Sequence, residues 1–147
     1  MNPPALLAHE KPQPTSHHHP AAVAGQQATS TPHHHKMVEI PANQPVPTVN
    51  LVVHPDRDQG WNLEIQAKHF TFAPNKLDGK GITTEGHAHL YVNGKKLTRL
   101  YGPWYYLSEL PPGQHTVTVT LNTNGHEELM HNGKPIQASQ VISVPKP

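Results

Sequence analysis

From Thr48 onward, every patterned stretch of this chain repeats with a period of two, and none sustains a helical period. In WNLEIQAK, Trp61, Leu63, Ile65 and Ala67 alternate with Asn62, Glu64, Gln66 and Lys68. Successive side chains on a strand point to opposite faces, so this segment reads as a strand with one wet face. HTVTVTLNT repeats the pattern, with Val117, Val119 and Leu121 inward. TVNLVVHP and IQASQVISV add two strands, and GPWYYLSEL is a further short strand or an irregular crossover. HAHLYVNGKKLTRLY is the clearest hairpin, because Asn-Gly suits a two-residue type I′ turn whose central residues both need positive φ. That register sets Val92 opposite Lys95, Leu90 opposite Leu97 and His89 opposite Thr98. Ala88, Leu90, Val92 and Leu97 then share the core face, and His87, His89 and Tyr91 the other. NKLDGKGITTEG and NGHEELMHNGKP read as turn-rich loops, the second with at most one helical turn around Glu127–Met130. Six or seven short strands with regularly spaced turns predict an all-β fold, an immunoglobulin- or fibronectin-like β-sandwich. A small closed barrel is the alternative.

Residues 1–47 obey a different rule. Prolines stand at 3, 4, 12, 14, 20, 32, 41, 45 and 47, among Ala, Gln, Thr and His. Proline removes a backbone donor and drives the preceding residue toward extended conformations. Few large apolar side chains are present to offset the entropy of ordering. The expectation is a disordered His/Pro-rich tail over residues 1–47 and a sandwich domain over residues 48–147. The apolar content of 34% is low for a globular chain, as such a tail would make it.

Lys and Arg number 11 against 10 Asp and Glu, which gives no basic stripe for nucleic acid. No apolar run is long enough for a membrane-spanning helix. Cysteine is absent, which excludes disulfides and thiolate metal sites. MNPPALLAHEKP lacks the basic start and long apolar run of a signal peptide.

Histidine is the outlier, with 14 residues. Neutral imidazole ligates copper, zinc and nickel. In the tail, His17, His18 and His19 form one triplet and His33, His34 and His35 a second. Met37 adds a thioether, which favours Cu(I). Closing such a chain around an ion costs entropy, so modest affinity and interchangeable geometries are expected. Histidine triplets also occur in low-complexity tails that bind nothing.

The domain offers a sharper arrangement. Residues i and i+2 of a strand project from one face about 7 Å apart, so His87 and His89 can converge on one ion. Glu85 extends the same line. A third ligand must come from elsewhere: His126 is the first choice and His69 the second, with Glu127 placed to orient a ring. The competing reading makes His87, His89 and Tyr91 the polar face of a half-exposed strand. His54, His115 and His131 read as ordinary surface residues. Tyr101, Trp104, Tyr105 and Tyr106 read as a plug at one end of the sandwich, and ring platforms for sugars or peptides are the alternative.

EGHAHLYVNGKKLTRLYGPWYYL, followed by LPPGQHTVTVTLNTNGHEEL, resembles small bacterial exported domains with an immunoglobulin-like sandwich. These carry an E-G-H-x-H-Φ-Y-Φ-N/D-G hairpin and a later L-x-x-N-x-H segment. The resemblance covers roughly residues 60–144 and singles out Glu85, His87, His89, Tyr91 and His126. It implies a periplasmic or secreted setting and copper handling. A looser similarity to periplasmic copper-resistance carriers lacks their methionine-rich motif, since only three methionines are present.

Three functions follow as expectations. The first is an extracytoplasmic copper carrier or buffer, with zinc or nickel as alternative ions and a metal-delivery protein as partner. Its tail would hold ligands near the domain at about millimolar effective concentration. The second is a structural or interaction module without metal. The third is a copper-dependent oxidoreductase, for which His9 at a processed N-terminus would be needed.

Overall fold

The structure is a computed structural model that describes residues 36–76 and 81–147. Among them it is all-β, with two sheets in a sandwich arrangement. The strands are β1 (Met37–Glu39), β2 (Thr48–Pro55), β3 (Trp61–Lys68), β4 (Thr71–Phe72), β5 (Glu85–Val92) and β6 (Lys95–Leu100). They continue with β7 (Trp104–Leu107), β8 (Gly113–Thr123), β9 (Glu128–His131), β10 (Lys134–Pro135) and β11 (Gln137–Val144). The smaller sheet has the order β2-β3-β7. In the larger, β8 lies between β5 and β11, β6 flanks β5, and β9 joins the end of β8.

Alternation builds the core as expected. Leu51, Leu63 and Ile65 point inward from the small sheet, and Leu90, Val117, Val119 and Leu121 from the large one; all are at most 1% exposed. Each such side chain contributes about 1.5–3 kcal/mol by leaving water.

The hairpin departs from its simple register. Asn93 and Gly94 have φ of 52° and 78°, as a type I′ turn requires, and Val92 pairs with Lys95. Beyond Tyr91–Lys96 the ladder shifts, so Leu90 faces Thr98, His89 faces Arg99 and Ala88 faces Leu100. Leu97 is the extra residue of a β-bulge and is half exposed, not in the core. The unshifted register would have turned Arg99 inward and Leu100 outward. One inserted residue exchanges them, and Leu100 is buried.

NGHEELMHNGKP, expected as a loop with at most one helical turn, instead carries strand β9 (Glu128–His131), paired in parallel with Met37–Glu39. A second Asn-Gly turn, Asn132-Gly133 with φ of 51° and 73°, folds β10 back on β9. Met37–Glu39 and buried Ile40 therefore belong to the sandwich, although they precede the compositional break at Thr48.

His115 is buried, not a surface residue. Its Nε2 donates to the Pro111 carbonyl at 2.7 Å, and its Nδ1 accepts from the Asn93 amide at 2.9 Å. The ring thus fastens the β5–β6 turn to the loop before β8. The aromatic plug also dissolves: Tyr105 packs on the core, Tyr101 lies elsewhere, and Trp104 and Tyr106 are exposed.

Candidate metal centre

On the outer face of the large sheet, the register places His87 opposite Asn122 and His89 opposite Thr120. Both rings are buried, at 0% and 3% exposure, so the half-exposed polar strand is not what forms. Tyr101 covers His87 at 5.1 Å between ring centroids, and His126 stands 5.6 Å away at 65°.

Close approach of β5 to β8 makes this possible. Gly86 pairs with Thr123, and a Cβ there would lie 2.0 Å from the Asn122 carbonyl oxygen. The glycine of EGHAH therefore lets the histidine strand lie against the strand that leads to His126. Past Thr123 the chain turns tightly. His126 N–H donates to Thr123 O at 3.0 Å, and Thr123 N–H donates to Glu127 O at 2.8 Å. His126 adopts φ of 65°, a left-handed conformation that histidine enters more readily than most residues.

The result is three imidazoles from two distant segments, His87, His89 and His126, with ligand atoms all within 4.8 Å of one another. Nitrogens 2.0–2.1 Å from one ion in tetrahedral array stand about 3.3 Å apart, so closing the widest gap takes roughly 1.5 Å. His126 is exposed on its turn and can supply that motion.

Hydrogen bonds assign the tautomers. Asn124 Nδ2 donates to the Ala73 carbonyl at 2.8 Å, which turns its Oδ1 toward His87 Nδ1 at 3.2 Å. His87 thus carries its proton on Nδ1, and its Nε2 holds a free lone pair. That lone pair accepts from His89 Nε2 at 2.9 Å. His89 Nδ1 is then a buried nitrogen without a protein partner. Two ligands at 90° around such an ion would stand about 2.9 Å apart, and tetrahedral ones about 3.3 Å. The observed separation fits both a ring-to-ring hydrogen bond and cis ligation.

All three rings are lowered below the usual imidazole range, which favours the neutral form near pH 7. Burial pushes His87 down against the opposing hydrogen bond to Asn124. It is also the main cause that brings His89 down to about 3, helped by Lys96, His87, Arg99 and His126. His126 is lowered by burial, then by Arg99 and Lys96. Neutral imidazoles are the ligating form. Arg99 opposite His89 and Lys96 opposite Tyr91 add positive charge that opposes an incoming cation.

Other candidate residues lie elsewhere. The Glu85 carboxylate pairs with Lys76 Nζ at 2.9 Å. His69 is exposed after β3, beside a shallow depression lined by Pro45, Thr71 and Thr84. Neither joins the three-imidazole group. Glu127 does not orient a ring: its Oε1 accepts from Gly81 N–H at 2.6 Å and from the Thr123 hydroxyl at 3.2 Å. Asn124 holds the position expected of Glu127, and its signal was the N of L-x-x-N-x-H. Tyr101 had no such signal. Met37 is exposed on β1, and His17, His18, His19, His33, His34 and His35 lie outside the described residues. Comparison with protein-family models, curated proteins and solved structures gives no match for this chain.

Proposed function

We propose that this protein binds a metal ion through His87, His89 and His126, with copper the first candidate and zinc or nickel the alternatives. One observation carries the reading: three imidazoles converge within 4.8 Å, two of them buried. Further support comes from the chemistry of the set. The rings are already neutral, so ligation displaces few protons near pH 7. Asn124 fixes one ring by its non-ligating nitrogen, the usual arrangement behind a metal-bound histidine. With no cysteine and no carboxylate in the group, the donor set is all imidazole, and Cu(II) heads the affinity order for such sites.

Three protein ligands leave room for a fourth, so the role suits a carrier or buffer that hands the ion to a delivery partner. A periplasmic or secreted setting and an immunoglobulin-like ancestry belong to the same proposal. The tail triplets would add weaker capture sites. Isothermal titration of Cu(II) and Zn(II) into the full chain and the His87→Ala/His89→Ala variant tests it. The proposal requires the variant to lose one tight equivalent, and unchanged stoichiometry and affinity reject it.

The second reading is a structural sandwich in which the histidine pair is a buried polar link. The mutual hydrogen bond between the two rings favours it. Under that reading, substitution lowers stability and no metal raises the melting temperature.

A further inference from the structure

The exposed aromatic residues are on the other sheet. Leu63 and Ile65 face the core, so their neighbours on β3 face outward, and the register sets Glu64 beside Val52 and Trp104. The next row is His54, Asn62 and Tyr106, and Asn50 and Gln66 form the row on the other side. Trp104 is 58% exposed and Tyr106 49%, unusual for rings of this size. Two residues apart on one strand, they stand about 7 Å from each other on the same face.

Both rings are held in place. The Tyr106 hydroxyl donates to the Gln59 carbonyl at 2.7 Å. Its ring lies over Gly60, where a Cβ would approach the hydroxyl to 2.9 Å. His54 packs against Trp104 with ring centroids 5.6 Å apart.

A line of polar groups runs beside the rings. Asn50 Nδ2 donates to Gln66 Oε1 at 3.1 Å, and Gln66 Nε2 donates to Glu64 Oε1 at 3.1 Å. His54 Nε2 donates to Glu64 Oε2 at 2.9 Å. Each amide spends part of its capacity in the line and keeps further donors and acceptors facing solvent.

We propose that this face binds a neutral, linear glycan, whose flat sugar faces stack on Trp104 and Tyr106 while its hydroxyls bond to Glu64, Gln66 and Asn50. The proposal is independent of the metal reading. Two anchored rings about 7 Å apart beside a polar line suit an extended, ribbon-like β-1,4-linked chain. A dry peptide or a second copy of this protein would have to strip water from the polar line without replacing its hydrogen bonds. A polyol replaces those bonds one for one. Val52 is the lone aliphatic residue among the outward positions of the three rows, so the face is not an apolar docking surface. The Glu64 carboxylate disfavours an acidic glycan.

The test is calorimetric titration of the full-length chain with cellohexaose and chitohexaose, with hexagalacturonate as the acidic control. Saturable binding of either neutral hexaose is expected. Trp104→Ala should weaken it by about tenfold or more, as loss of one stacked ring would. Tyr106→Ala and Glu64→Gln should weaken it less, and Leu97→Ala, at an exposed position on the other sheet, should leave it unchanged. All four variants are first checked for native circular dichroism. No response to either hexaose at millimolar concentration overturns the proposal. So does full affinity in Trp104→Ala, or equal affinity for hexagalacturonate. Concentration-dependent self-association lost in Trp104→Ala, without hexaose binding, makes the face a contact between copies instead.

Discussion

Gly86→Ala joins the stability of the fold to the geometry of the candidate centre. The new Cβ would sit 2.0 Å from the Asn122 carbonyl oxygen and 3.0 Å from the Thr123 Cα. Ordinary contact begins near 3.4 Å, so the strands must separate locally by about 1.4 Å. The obstacle is backbone in the middle of a ladder, and no side chain can rotate away. Overpacking that side chains can absorb costs about 1–3 kcal/mol, so this substitution should reach the top of that range, about 3 kcal/mol. For a domain of this size that lowers the melting temperature by about 10–15 °C. Gly94→Ala is the matched control. Its φ is also positive, at 78°, but nothing lies within 4 Å of a Cβ there, so it should cost about 1 kcal/mol. Urea and thermal unfolding followed by circular dichroism measure both. Gly86→Ala should also weaken metal binding, because it separates His87 from Asn124 and His126. Equal destabilisation by the two substitutions would refute the close-approach argument.

Three more predictions follow from the centre itself. Asn124→Ala frees the His87 ring and should lower metal affinity about 10- to 100-fold while leaving one equivalent bound, by calorimetry. His126→Gly removes a ligand and relieves a left-handed residue, so apo stability should hold or rise by up to about 1 kcal/mol while metal affinity falls. The pH dependence has a fixed sign. All three histidines have folded pKa values below the unfolded value near 6.5, so the unfolded chain binds more protons in between. Apo stability should be full above about pH 6.5 and decline as pH falls below it, a decline that His87→Ala/His89→Ala should flatten. The domain's metal affinity should for the same reason persist to lower pH than that of the tail triplets.

Strand identity was legible in the sequence because each strand carries its own alternation, as Trp61 to Lys68 and His115 to Leu121 do. The sharing of one face by His87 and His89 was legible for the same reason. What escaped was set by contacts distant in sequence. The bulge at Leu97 exists because Leu100 and not Arg99 must fill the core, and a two-residue turn cannot reveal that. Strand β9 depends on Met37–Glu39, some ninety residues earlier. His126 was chosen for its chemistry, and its position beside His87 depends on the pairing of Gly86 with Thr123. Burial of the two strand histidines was hidden because Tyr101, Asn124 and His126, which surround them, come from connections between strands. The exposure of Trp104 was hidden because a ring-rich segment looks the same in sequence whichever face it presents.

The most direct measurement is an anomalous-difference map from Cu(II)-soaked crystals of the full chain, collected at the copper edge. One strong peak is expected about 2.0–2.1 Å from a ring nitrogen of each of His87, His89 and His126, with the His126 ring drawn inward. Absence of a peak there, with His87 and His89 still bonded ring to ring, would contradict ligation by these three histidines.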